Sequence, residues 1–201
     1  IGSNPTRLAA VGDDLYFQAI GQGIGNELFR LDGATGAVEA FDLNPGAPSS
    51  FAQGFTAFGG DVYFNGTLGG IGTELFRLDG ATGAVEAIDV NPGVNSSTPV
   101  GFTAFGGDLY FLATRADVGT ELFRLDGETG ALELAADLTP GFSFNPPLIL
   151  GEVNGVLALG LWDAADGSYD LLSYDGGTIT PVGVNFAGAL PTIVPGDWMG
   201  A

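Results

Sequence analysis

The chain has 201 residues, 45% of them hydrophobic, so it is long enough to bury a core and too apolar to stay disordered. Its 24 acids against 5 bases give a net charge of −19, which repels nucleic acid and anionic lipid and excludes both as partners. Cys and His are absent, which excludes disulfides, thiolate chemistry and the usual zinc, iron and copper ligand sets.

No apolar run approaches the roughly 18 residues that a membrane-spanning helix needs, so membrane insertion is not expected. The opening residues IGSNPTRLAA do not read as a signal peptide; either one has been removed or the chain is a segment of a longer polypeptide. All five bases are Arg, and an acidic surface without Lys suits a secreted protein in a salty, calcium-containing medium, though low-Lys composition drift explains it equally well. The 35 Gly and 11 Pro recur at regular spacing, which points to many turns rather than to a linker.

The first predicted strand is Arg7–Val11, and residues 14–46 then read DLYFQAIGQGIGNELFRLDGATGAVEAFDLNPG. Residues 61–93 repeat this as DVYFNGTLGGIGTELFRLDGATGAVEAIDVNPG, and residues 108–141 as DLYFLATRADVGTELFRLDGETGALELAADLTPG. The heptad ELFRLDG thus starts at 27, 74 and 121, a fixed period that predicts a repeat architecture. Each unit holds four short runs rich in aromatic and β-branched residues: one before the Gly pair (Gly101–Phe105), then LYF, then ELFRL, then AVEAIDV (84–90), which ends at Asn91-Pro92-Gly93. Four antiparallel strands in such a unit match one β-propeller blade. A solenoid would more usually have a shorter period, and a β-sandwich would not repeat its sequence so closely. Blades pack face to face, which fits the near-continuous apolar character of LYF and LF.

The fourth unit has diverged: Gly155–Leu159 stands where GDLYF was, and Asp170–Gly176 replaces ELFRLDG. TIVPGDWMGA (192–201) matches the start of a fifth. The expected fold is therefore all-β, a single β-propeller domain or propeller fragment over 1–201, built of four-stranded antiparallel blades. Four complete repeats lie near 5–46, 50–93, 97–141 and 145–184, and 185–201 begins a fifth or closes a smaller ring.

The repeated polar residues have structural readings. A four-residue hairpin loop (80–83) places Leu78 opposite Val85 and Arg77 opposite Glu86, and likewise Arg30 opposite Glu39 and Arg124 opposite Glu133. Such cross-strand pairs contribute roughly 0.2–1 kcal/mol each. Asp32, Asp79, Asp126 and Asp175 cap the local N–H groups of that turn. The loop ends Asp42/Asn44, Asp89/Asn91 and Asp137 offer hard oxygen ligands, as does the cluster Asp163, Asp166 and Asp170. All are candidates for Ca²⁺, although turn formation alone accounts for them. The closely spaced glycines of Gly21–Gly25 lie between strands with no helix following, so no phosphate site is expected there. Without GxSxG, a Walker loop, HExxH or any His, no catalytic residue is assigned; only paired carboxylates, as in glycoside hydrolysis, would leave room for an enzyme.

The pattern LYF…G-x-ELF-x-x-DG-x-x-G…D-x-NPG-x-x-SS resembles the ELWxxDGT-type repeats of large bacterial secreted and surface proteins, closely over 14–141 and loosely over 145–201. It departs from them in Phe29, Phe76 and Phe123, where that family has Trp, and in the Ala-Thr-Gly or Glu-Thr-Gly after DG. A vaguer likeness to kelch and haemopexin repeats reflects shared blade geometry. The resemblance implies an extracellular or cell-surface β-propeller and no defined ligand. The leading expectation is a non-catalytic scaffold or binding module for a protein or glycan partner, within a surface assembly. Its binding loops would be 20–24, 67–71 and 114–118, which vary between copied strands. The alternatives are a carbohydrate-active enzyme with paired carboxylates and a calcium-stabilised structural module.

Overall fold

A computed structural model describes residues 2–141 and 145–187, with the backbone alone for 185–187. TIVPGDWMGA, the expected start of a fifth repeat, lies outside the described residues. Among the described residues there is no helix, and the strands form four four-stranded antiparallel sheets, each ordered as the chain runs. Sheet 1 holds β1 (Thr6–Val11), β2 (Asp14–Gly21), β3 (Gly25–Leu31) and β4 (Val38–Phe41). Sheet 2 holds β5 (Gln53–Phe58), β6 (Asp61–Leu68), β7 (Gly72–Leu78) and β8 (Val85–Ile88). Sheet 3 holds β9 (Val100–Phe105), β10 (Asp108–Arg115), β11 (Gly119–Leu125) and β12 (Leu132–Ala136). Sheet 4 holds β13 (Leu148–Val153), β14 (Val156–Asp163), β15 (Ser168–Tyr174) and β16 (Ile179–Ala187). Each sheet corresponds to one sequence repeat.

Local chemistry explains the turns. Between β7 and β8 the Asp79 N–H donates to the Ala84 carbonyl at 2.9 Å, and the Asp79 Oδ1 accepts from the N–H groups of Ala81 and Thr82 at 3.0 and 2.7 Å. Gly83 closes the turn at φ +72°, a left-handed conformation that glycine adopts without steric cost. Gly80 is needed for a different reason: a Cβ there would stand 2.0 Å from the carbonyl oxygen of Gly60, in the neighbouring turn.

Several strand boundaries differ from expectation, two of them at the close of a repeat. The fourth strand, expected over 84–90, ends at Ile88, because by Val90 the N–H has left the ladder and donates to the Glu74 carboxylate at 2.9 Å. In the last repeat β16 runs to Ala187, three residues past the expected end at 184.

The chain divides into two compact units, one running to Phe102 and including Ala113–Asp117, the other comprising Thr103–Leu112 and the residues from Val118 onward. In the first, Tyr16, Leu28 and Phe41 of sheet 1 form one core with Val62, Phe64, Phe76 and Leu78 of sheet 2. Phe64 and Phe76 stack within it at 5.6 Å between centroids. In the second, Tyr110, Leu112 and Leu122 of sheet 3, with Leu138 after it, form a core with Leu157, Leu159, Leu172 and Tyr174 of sheet 4. Tyr110 meets Tyr174 edge-on at 5.8 Å, and burial first, then that neighbour, pushes the Tyr110 hydroxyl up to about 12. Neighbouring residues of one strand enter opposite faces. Tyr16 therefore packs on one side of sheet 1 while Leu15 and Phe17 point to the other, and the apolar runs carry no simple alternation.

Candidate functional site

The first letter of ELFRLDG carries more of the structure than sequence reasoning gave it. Glu27, Glu74 and Glu121 are all 0% exposed. Glu74 accepts from the N–H groups of Val90 at 2.9 Å, Asn91 at 3.4 Å and Ser97 at 2.8 Å, and from the Ser97 hydroxyl at 2.5 Å. Glu27 accepts from Leu43 N–H at 3.0 Å and Ser50 N–H at 2.8 Å. Glu121 accepts from the N–H groups of Leu138 and Thr139 and from the Thr139 hydroxyl. Burial pushes all three carboxyls above their ordinary range, and the donated hydrogen bonds pull them part of the way back. Glu27 and Glu74 thus hold both ends of the connection to the next sheet. The recoverable signal was a Ser 23 residues after the Glu in both copies.

Each repeated Arg sits in a cradle of acids. Arg77 lies opposite Glu86 in the ladder, with 3.7 Å between charged atoms, but its nearer partners are Asp61 at 2.6 Å and Asp79 at 3.2 Å. Arg124 bonds Glu133 at 2.7 Å and Asp108 at 2.9 Å. Arg30 bonds Glu39 at 2.9 Å and lies 3.8 Å from Asp14. The acid that opens β2, β6 and β10 is copied in every one of these units. Asp61 also accepts from the Gly80 N–H at 3.0 Å, so it joins the Arg to the turn.

The calcium candidates have local partners. Asp42 accepts from Gly46 N–H at 3.3 Å and Asp89 from Gly93 N–H at 3.4 Å. Asn44 accepts from Gly69 N–H at 3.2 Å and Asn91 from Ala116 N–H at 3.0 Å, so each ties its loop to the β-hairpin tip of the following repeat. Asp163 accepts from Ala165 N–H and Asp166 from Ser168 N–H. Asp137 lies just past β12 and Asp170 within β15. Among the described residues, no three Asp or Glu side chains are grouped as a metal site.

A groove of about 500 Å³ opens along the first strands of three repeats, lined among others by Arg7, Leu8, Gln53, Phe55, Asn65 and Phe102. Among the described residues no carboxylate lines it. The backbone is left-handed at the same point of each strand, at Arg7 (φ 55°), Gly54 (φ 75°) and Gly101 (φ 71°), and only the first copy carries a side chain there. Arg30, Arg77, Arg115 and Arg124 all pair with acids, whereas Arg7 is exposed and pairs with none among the described residues. Asn65 is 3% exposed; its Nδ2 donates to the Pro99 carbonyl, and its Oδ1 has no hydrogen-bond partner. The variable segments 20–24, 67–71 and 114–118 are largely short tips between the second and third strands of their sheets, and they do not line this groove.

No protein-family model and no curated protein matches the chain. Solved structures do. TolB from Acinetobacter baumannii aligns over 87% of this chain and 42% of its own length, at 17% identity and a TM-score of 0.52. A putative TolB from Agrobacterium tumefaciens aligns over 85% and 61%, at 14% identity and 0.52. The fold is of the β-propeller type. The blades also match the SapL1 lectin, solved in complex with alpha methyl fucoside, over 92% of this chain and 65% of that one, at 11% identity and a TM-score of 0.54. The chain thus spans less than two thirds of each of these structures, and at such identity the likeness is one of blade architecture.

Proposed function

We propose that this propeller is a non-catalytic module of a secreted or cell-surface protein, acting as a scaffold that binds a protein or glycan. The observation that carries this reading is the fate of the copied polar residues. The Glu clips, the Arg cradles, the turn aspartates and the loop asparagines all have their hydrogen bonds inside the fold. Of the polar groups without a partner, Arg7 and the buried Asn65 Oδ1 stand beside the aromatic rings of the groove, at positions where the repeats differ. A groove that combines aromatic surface with a few polar groups suits a neutral or weakly anionic ligand such as a saccharide. The lectin of similar fold supports including glycans among the ligands, and the ELWxxDGT-type resemblance supports a location outside the cell. Screening against glycan and peptide arrays, with hydrolysis assays on the ligands retained, tests the reading. Saturable binding without turnover, weakened about tenfold in Arg7→Ala, is expected. Catalytic hydrolysis of a retained glycan would overturn it.

A further inference from the structure

The two blade contacts described above follow one rule. A face bearing a second-strand Tyr and a third-strand Leu (Tyr16 and Leu28; Tyr110 and Leu122) covers the opposite-type face of the following blade. That receiving face is well buried in blade 2, where Val62, Phe64, Phe76 and Leu78 are 5%, 0%, 2% and 1% exposed. The same face of blade 1 is formed by Leu15, Phe17, Phe29 and Leu31, all only half-buried. With Leu8 (59% exposed) and Val38 (62% exposed) they line an apolar recess of about 370 Å³.

A second, polar observation concerns the same side of blade 1. The carbonyl of Ser3 accepts from Ile20 N–H at 2.7 Å, as those of Ser50 and Ser97 accept from Thr67 and Thr114 at 2.7 and 2.8 Å. Ser3 therefore occupies the position of Ser50 and Ser97. Those two are 0% exposed, and each donates its N–H to the buried Glu of the preceding blade. Ser3 is exposed, and no Glu among the described residues meets its N–H.

We propose that this face of blade 1 binds a further blade of the same repeat, seated as blade 1 is seated on blade 2. Its third-strand Glu accepts from Ser3 N–H, and its tyrosine and leucine close over Phe17 and Phe29. A second copy of the chain docked head-to-tail does not fit that description. Tyr16, Tyr63 and Tyr110 are already buried (5%, 6% and 2% exposed), and the fourth blade has Ala158 at that position. The inference does not depend on what the groove binds.

The test is a chain lengthened by a copy of residues 50–96 placed directly ahead of Ser3, which keeps the repeat in register. Melting and amide hydrogen exchange are compared with those of the original chain. A rise in Tm of roughly 5–10 °C is expected, given about 2–4 °C per kcal/mol for a chain of this size. Slowed exchange at Ser3 and Ile20 should accompany it. Glu74→Ala in the added copy alone, or Phe17→Thr in blade 1, should remove most of the gain. An added repeat that folds without raising Tm overturns the proposal. So does one that stays unprotected, since docking on this face is what would fold it. Self-association of the original chain that Phe17→Lys abolishes would also overturn it, because the occupant would then be a second copy.

Discussion

Glu74 shows how much a single repeated side chain holds. Its carboxylate is buried and accepts four hydrogen bonds from two ends of one connection. Glu74→Ala strands those donors away from water and is expected to cost about 3 kcal/mol, while Glu74→Gln, which turns an N–H₂ toward some of them, should cost about 1–2 kcal/mol. Urea denaturation of both variants checks the order. The glycines on either side of the turn separate two mechanisms. Gly83→Ala is expected to cost about 1 kcal/mol for a left-handed alanine. Gly80→Ala, whose methyl meets the Gly60 carbonyl, should cost about 2–3 kcal/mol. If the two alanine variants prove equal, the close approach at Gly80 is not the constraint described here.

At the level of the hairpin, the register of the third and fourth strands was legible from loop length alone. Arg77 opposite Glu86 and Leu78 opposite Val85 follow from counting four turn residues. Asp61 was not legible in that way, because it lies 16 residues from Arg77, and their meeting depends on the tip joining β6 to β7. The buried Glu was harder still. Within ELFRL a carboxylate reads as a solvent-facing strand residue, and only the three-dimensional path of the connection brings the Ser97 N–H to it. These distances rank the acids. Asp61→Ala, which loses both Arg77 and the Gly80 N–H, is expected to cost about 2 kcal/mol. Arg77→Ala should cost about 1 kcal/mol, and Glu86→Ala, at a largely exposed pair, under about 0.5 kcal/mol. Chemical denaturation of the three variants tests the ranking; an equal loss at Glu86 would restore the simple cross-strand pair as the main contact.

Across the whole molecule two families of carboxyl groups pull in opposite directions with pH. Glu27, Glu74 and Glu121 have folded pKa values raised above 4.5, so the native state binds more protons than the unfolded chain in that window. Their contribution is fully present below 4.5 and is lost as pH rises through the raised values. Asp32, Asp79, Asp126 and Asp175 have folded values lowered below 3.8, so their contribution is present above 3.8 and is lost as pH falls through them. Reduced self-repulsion of a chain of net charge −19 adds to the first trend. Melting temperature is therefore expected to rise on mild acidification from neutral pH and to fall again below about pH 3.8, which calorimetry across pH 7 to 2.5 measures; a steady decline from pH 7 would contradict it. The Glu clip has one more consequence, which concerns length rather than energy. By grasping Leu43 and Ser50, or Val90 and Ser97, it fixes how much chain is allowed between one blade and the next, and so works as a ruler. ELFRLDG starts at 27, 74 and 121 without a residue of drift. Among the described residues Glu121 grasps only the near end of its connection, at Leu138 and Thr139, and the next counterpart begins at 170, two residues late.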